Sequence, residues 1–254
     1  QPLTYKIIGG HPSTLQIFAQ RLQEEGSFTA DEIESHAVEY RARLDSALEL
    51  MRREKLLSIP PTLGGAWSGL ARHDKRGIVI TEVNREVLQE IAEDLATVPK
   101  DFTPHPRIAK LLRSRLEMVA GGAPIDWGMG ELLAYGSLVR EGFAVRLSGQ
   151  DVTRGTFSHR HANLVDITNG RDYIPLKHLR TQRGQFNVHD SPLSEAGVLG
   201  FDFGYSLAEP FCLTIWEAQF GDFANGAQVV IDQFIAGSEL KWLRMSGLVM
   251  LLPH

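Results

Sequence analysis

Apolar residues recur at helical spacing through the first half of the chain and gather into short runs in the second, with the change of period near residue 142. Pro12, Ser13 and Thr14 open a helical segment that runs through Leu15, Phe18 and Leu22 to a stop at Gly26. Thr29, with Glu32 three residues on, has the form of a capping box. Beyond it Ile33, Ala37, Tyr40, Leu44, Leu48 and Met51 keep the helical spacing through Lys55. Ile59, Pro60 and Pro61 should end that helix, because proline has no amide hydrogen to donate and restricts the residue before it. Residues 61–79 are glycine-rich and hold no period, which predicts an ordered loop anchored by burial of Trp67. Further helices are predicted over 81–97, 104–120 and 127–141, each bounded by proline or glycine.

After Gly142 short apolar runs predict strands over 143–147, 161–166, 186–189, 212–217 and 247–252, with helices over 194–207 and 223–235 between them. Strands alternating with helices imply an α/β fold whose mainly parallel sheet is covered on both faces. The segment GGAPID, residues 121–126, is the natural boundary, giving a helical connector over 1–122 and an α/β domain over 123–254.

Composition narrows the functional classes. With 254 residues, 43% of them apolar, the chain can bury one large core or two small ones. A net charge of -5 with both signs interspersed leaves no basic stripe for a phosphate backbone, so nucleic acid is not an expected partner. The densest basic cluster, Arg52, Arg53 and Lys55, reads as a helix C-terminus answering its dipole. Cys212 is the only cysteine, which excludes an internal disulfide and suits a reducing compartment; its apolar setting in FCLTIW predicts a buried, inert thiol. The sequence has no run of eighteen apolar residues and no signal-peptide pattern at QPLTYK, so a membrane partner is not expected.

Two patterns invite chemistry and fail a spacing test. His159 and His161 form an HxH pair, which on a strand would turn both rings to one face, but no third ligand follows at a convincing distance and no metal site is expected. GGAPIDWGMG has close glycines, yet it follows a helix and not a strand, so it does not make a dinucleotide fingerprint.

Three blocks are more specific: GQDVTRGTFSHRH at 149–161, SPLSEAGVLGFDFGYS at 191–206 and LTIWEAQFGDFANGAQ at 213–228. In order and spacing they resemble the thiamine-diphosphate-dependent decarboxylating dehydrogenase component of 2-oxoglutarate dehydrogenase complexes. The resemblance covers roughly residues 149 to 254, and the earlier residues agree more loosely, as a connector. It implies that the α/β part is the start of a transketolase-like pyrimidine-binding domain. Glu195 is then the carboxyl facing the cofactor's aminopyrimidine, where it must keep or share a proton near neutrality, helped by an apolar wall of Leu193, Val198 and Leu199. Phe223, with Phe220 as the second choice, is implied to stack on that ring, and Gln219 and Leu193 to complete the pyrimidine side. Asp222 and Asn225 read as turn and capping residues.

Gln150, directly after a strand, is the expected substrate-side amide, with Asp151 fixing its loop through Arg154. His161 is expected to contact the reactants. His254 carries less weight, since the family's further histidine follows in a glycine-rich turn beyond LVMLLPH. The family's aspartate-and-asparagine motif for the diphosphate and Mg²⁺ precedes the matched region and does not occur in this sequence, so those ligands are expected outside the chain, which reads as a fragment. The resemblance further implies a homodimer, a 2-oxo acid substrate, the lipoyl domain of dihydrolipoyl succinyltransferase as partner, and a place in the citric acid cycle in bacterial cytoplasm or the mitochondrial matrix. Alternatives are a relative acting on 2-oxoadipate, a 2-oxoglutarate decarboxylase, or a catalytically inert assembly piece.

Overall fold

The computed structural model describes residues 1–54, 65–70 and 80–254. The predicted helix end at Lys55 to Pro61, and the 61–79 loop apart from 65–70, lie outside the described residues. By compactness the chain divides into Gln1–Pro60 and Pro61–His254.

The first unit contains helices α1 (Pro2–Gly10), α2 (Thr14–Glu24) and α3 (Ala30–Glu54). Helix α2 opens on a reciprocal capping box. The Gln16 amide donates to Ser13 Oγ at 3.2 Å, and the Ser13 amide donates to Gln16 Oε1 at 2.7 Å. The box read at Thr29 and Glu32 forms as well, the Thr29 amide donating to Glu32 Oε2 at 2.8 Å and the Glu32 amide to Thr29 Oγ1 at 3.3 Å. The apolar positions of α2 and α3 converge: Leu15, Phe18, Leu22, Ile33, Tyr40 and Leu44 line one groove. Helix α1 was not legible, because Leu3, Tyr5, Ile7 and Ile8 make no helical stripe and all of them are exposed.

The second unit begins, among described residues, at a short turn in which Trp67 is buried and its indole N–H donates to the Leu207 carbonyl at 2.7 Å. Helices α4 (Arg85–Ala96), α5 (Pro106–Ala120) and α6 (Trp127–Glu141) follow. The bounds of α6 are written in its ends: Asp126 accepts from the Met129 amide at 2.7 Å, and Gly142 takes the left-handed conformation (φ 107°) that stops the helix. Gly136 lets α4 close on α6, since a methyl group there would lie 2.6 Å from Ile91 Cγ2.

Strands β1 (Ala144–Gly149), β4 (Phe186–Asp190), β5 (Cys212–Glu217) and β6 (Val249–Leu251) form one parallel sheet in the order β4-β1-β5-β6. Alternation sends its two faces to different helices. Val145, Leu147 and Ile215 join Ile91, Leu95, Met129 and Leu132 in a core under α4 and α6. Trp216 and Ala218 face the other way, onto Val198 and Leu199 of α7 (Glu195–Ala208). Full burial of side chains such as Ile91, Leu147 and Ile215 stabilises the unit by roughly 1.5 to 3 kcal/mol each. Because α4 and α5 contribute to the sheet's own core, compactness does not divide the chain near residues 121–126. Arg146 and Ser148 point toward α7, where both donate to the fully buried Asp202.

Two predicted elements take another form. Of the run 161–166 only β2 (Leu164–Val165) is strand, and it pairs antiparallel with β3 (Asp172–Tyr173) outside the main sheet. His161 has φ 47°, which extended strand does not allow, and Asp166 turns the chain back. The Asp166 carboxylate accepts from the Thr168 hydroxyl (2.6 Å) and amide (2.8 Å) and from the Thr103 amide (3.1 Å), and these bonds hold its pKa down at about 2. The helix expected over 223–235 is a composite: a 3₁₀ segment Gly221–Ala227, one α turn α8 (Gln228–Val230) and a π turn Ile231–Ile235. The short helix α9 (Ser238–Trp242) then leads to β6.

Candidate functional site at the carboxyl edge of the sheet

The parallel register brings four strand ends level. Gly149 pairs with both Asp190 and Glu217, and Glu217 pairs with Leu251. Gln150, the 191–194 turn, the 218–227 segment and residues 252–254 therefore all leave the sheet at one edge, where parallel α/β sheets present ligand-binding groups. Gly149 is required at the centre: its φ is 149°, and a methyl group there would sit 2.1 Å from the Glu217 carbonyl oxygen.

Glu195 is the first residue of α7 and half-buried. Among the described residues its carboxylate makes no hydrogen bond or ion pair, and Ser194 supplies no side-chain cap to the helix. The carboxyl is thus not spent on capping its own helix. Oε2 lies against Gly226, 3.3 Å from where a methyl group on that glycine would sit. Val198 and Leu199 are buried one turn on, whereas Leu193, expected to join them as an apolar wall, is 64% exposed.

Phe220 and Phe223 meet edge to face at 5.8 Å, and Phe157 adds a third ring at 5.9 Å from Phe220; all three are exposed. The Gln219 carbonyl accepts from Thr156 Oγ1 at 2.6 Å, tying the 218–227 segment to the loop after β1. In that loop Gln150 is exposed, Asp151 pairs with Arg154, and the Thr153 amide donates to Asp190 at 2.9 Å. Gly226→Ala is expected to move the Glu195 carboxyl by a few tenths of an ångström without altering the melting temperature. Thermal melts and a crystal structure of the variant would check this, and an unmoved carboxyl would contradict it.

On the opposite face of the same edge lies a buried ion network. Arg160 is 0% exposed and reaches Glu217 with Nη1 at 2.9 Å and Nη2 at 2.5 Å, and Glu131 of α6 with Nη2 at 2.8 Å; its Nη1 also donates to the Val152 carbonyl at 2.9 Å. Burial works to lower its pKa, but the Glu217 hydrogen bonds and the charges of Glu217 and Glu131 outweigh this and raise it above the ordinary guanidinium range. Arg115 of α5 clamps the same segment, donating to the His159 and Arg160 carbonyls at 2.9 and 2.7 Å.

The two histidines part company here. Ser158 and His161 both have positive φ, so the HxH pair follows a bent backbone and not a strand. His159 lines a cavity of about 540 Å³ with Trp127, Phe157, Glu217, Pro253 and His254. His161, expected among the reactants, instead borders a void of about 10 Å³ beside Leu95, Leu112, Arg115 and Leu132. Glu131, His159 and Glu217 bring ligand-type atoms within 4.8 Å of one another, but Arg160 engages both carboxylates and holds the place a cation would take. The sequence gives one sign of this network, a lone glutamate closing the apolar strand CLTIWE; its partners are distant in the chain.

A parallel sheet covered on both faces, with a carboxyl unengaged among the described residues and a cluster of aromatic rings at its carboxyl edge, defines an α/β domain whose strand ends offer a ligand site. Residues 123–254 match the family model described as transketolase, pyrimidine binding domain, and the chain belongs to that family. Over its whole length the chain is similar to proteins named 2-oxoglutarate dehydrogenase E1 component. It is 48% identical over 259 residues to those of Brucella canis, Brucella suis and Brucella melitensis. All of this chain is covered in each comparison, and it spans 26% of those relatives.

Proposed function

We propose that these residues supply the pyrimidine side of a thiamine-diphosphate site in an enzyme that oxidatively decarboxylates 2-oxoglutarate and passes the succinyl unit to a lipoyl group. The observation that carries this reading is 48% identity sustained along the entire chain to E1 components. The free carboxyl of Glu195, beside glycine and near exposed aromatic rings, fits an aminopyrimidine that needs one proton partner and a flat surface. Bound thiamine diphosphate supplies a nucleophilic ring carbon and an electron sink for decarboxylation.

Glu195 would meet the ring nitrogen and serve as its proton partner. Phe223 and Phe220 fix the plane of the ring by stacking, and Leu193 and Gln219 complete its surroundings. Gln150, a neutral donor beside the strand end, hydrogen-bonds the 2-oxo acid without opposing its carboxylate. Mg²⁺ and the diphosphate are held by residues outside this chain's sequence, in a homodimer whose second protomer completes the site. The succinyl acceptor is the lipoyl domain of dihydrolipoyl succinyltransferase, in the citric acid cycle of the bacterial cytoplasm or mitochondrial matrix. Among the described residues no helix is long and apolar enough to cross a membrane.

The test is carbon dioxide release from 2-oxoglutarate by a chain of the relatives' full length, with and without thiamine diphosphate and Mg²⁺. Release that depends on both supports the reading. A loaded, folded chain that leaves 2-oxoglutarate intact would sink it.

A further inference from the structure

We infer that Asp190 is a positioning residue of this site, fastening the turn from which Gln150 meets the 2-oxo acid. The inference rests on the function proposed above, in which Gln150 hydrogen-bonds the substrate, and it concerns what holds Gln150 in place. Asp190 acts through that turn and not on the reactants.

Gln150 stands where the backbone leaves its regular course. Gly149, the last residue of β1, has φ 149°, and Asp151 has φ 61°, so Gln150 lies between two residues whose conformations strand geometry does not supply. For glycine that conformation carries no steric cost. For Asp151 it costs stability and persists only where the surroundings enforce it. The direction of the Gln150 side chain is therefore set by whatever pins the backbone on either side of it.

Two consecutive residues at the end of β4 supply both pins. The Ser191 amide donates to the Gly149 carbonyl at 2.8 Å, immediately before Gln150. Asp190 takes the other side: Oδ1 accepts from the Thr153 amide at 2.9 Å, and Oδ2 accepts from Thr153 Oγ1. The span 149–153 is thus stapled at both ends to one dipeptide, and the pairing of Gly149 with Asp190 registers that dipeptide against β1. Between the staples Val152 is fully buried, and its carbonyl accepts from Arg160 Nη1 at 2.9 Å, which holds the inner side of the turn. Bonds within the loop, from the Gly155 amide to the Asp151 carbonyl at 2.9 Å and from the Ala162 amide to the Thr153 carbonyl at 2.7 Å, keep its shape but do not set its place on the sheet edge.

The staple needs geometry and not charge. A carboxamide offers an acceptor to the Thr153 amide as a carboxylate does, and the Thr153 hydroxyl can accept from its N–H as readily as it donates to a carboxylate. Asparagine at this position can therefore rebuild both contacts, whereas alanine removes them. A residue that acted on the reactants by its charge would lose its effect with either substitution.

The test measures KM and kcat for 2-oxoglutarate, and thiamine-diphosphate affinity by titration, in a Mg²⁺-loaded chain of the relatives' full length. The variants are Asp190→Ala, Asp190→Asn and Thr153→Val, each with and without Gln150→Ala. Asp190→Ala is expected to raise KM about fivefold or more with kcat and cofactor affinity within about twofold, since the loosened turn bears on the substrate alone. Asp190→Asn should stay within about twofold of wild type. Thr153→Val keeps the amide contact and loses the hydroxyl one, so KM should rise about two- to threefold, and it reads the same staple from its other side if Asp190→Ala does not fold. In the Gln150→Ala background these substitutions should add little, because the side chain they position is gone. Asp190→Asn as damaging as Asp190→Ala, full additivity with Gln150→Ala, a cofactor affinity that falls as far as KM rises, or an unchanged KM would each overturn the role of Asp190 while leaving the decarboxylase reading intact. A wild-type chain that does not decarboxylate 2-oxoglutarate would remove that reading and this inference together.

Discussion

Glu195→Gln in a full-length chain is expected to reduce 2-oxoglutarate decarboxylation by about 10² to 10⁴, the range associated with loss of a positioned proton donor or acceptor. The substitution keeps shape and volume, so the effect isolates proton transfer. A glutamine amide can keep a hydrogen bond but cannot give or take a proton. Among the described residues the carboxylate makes no hydrogen bond and caps no helix, so stability should stay within about 0.5 kcal/mol of wild type. Cofactor affinity, measured by titration, should fall far less than turnover. Turnover near wild type would remove Glu195 from its role.

Arg160→Met is expected to cost about 3 to 5 kcal/mol of stability, because it leaves Glu217, 2% exposed, as a buried carboxylate without its counter-ion. A pair replaced as a whole behaves differently from one that is halved. Adding Glu217→Gln to Arg160→Met should therefore restore part of the loss, since the more deeply buried of the two stranded charges is gone and only Glu131 stays unpaired with Arg160. Urea unfolding of the single and double variants gives the comparison directly. A single variant within 1 kcal/mol of wild type would mean that water reaches Glu217 and that the network does not hold the strand end.

These two residues show how unevenly the site could be read from the sequence. Helix α6 was legible because its apolar spacing is bounded by Pro124 and Gly142, and β5 was legible because its apolar run closes on Glu217. Glu195 was legible only through the family resemblance; spacing alone offers a glutamate in a first helical turn, which many helices have. Arg160, between two histidines, carries no sign of its role in the sequence. Its partners Glu131 and Glu217 are 29 and 57 residues away, and no local pattern announces a pairing across that distance.

The same limit hides which of His159 and His161 borders the larger cavity. Which imidazole reaches the cavity is set by the positive φ of Ser158 and of His161 itself, and side-chain periodicity carries no record of that bend. The strand expected over 161–166 failed for the same reason. The 223–235 segment kept its helical apolar spacing while its hydrogen bonding changed twice, from 3₁₀ to α to π, a change in winding to which composition is nearly blind.

The strand order β4-β1-β5-β6 also has a meaning in time. The strand made first lies in the interior of the sheet, and its neighbours arrive only with residues 186–190 and 212–217. At a synthesis rate of roughly 5 to 20 residues per second, β1 waits several seconds for its second partner. Helices α4 to α6 have already emerged by then, and they are the surface against which Val145 and Leu147 finally rest. The helices written before the sheet are thus already made, and available to cover β1, while its partner strands are still being added.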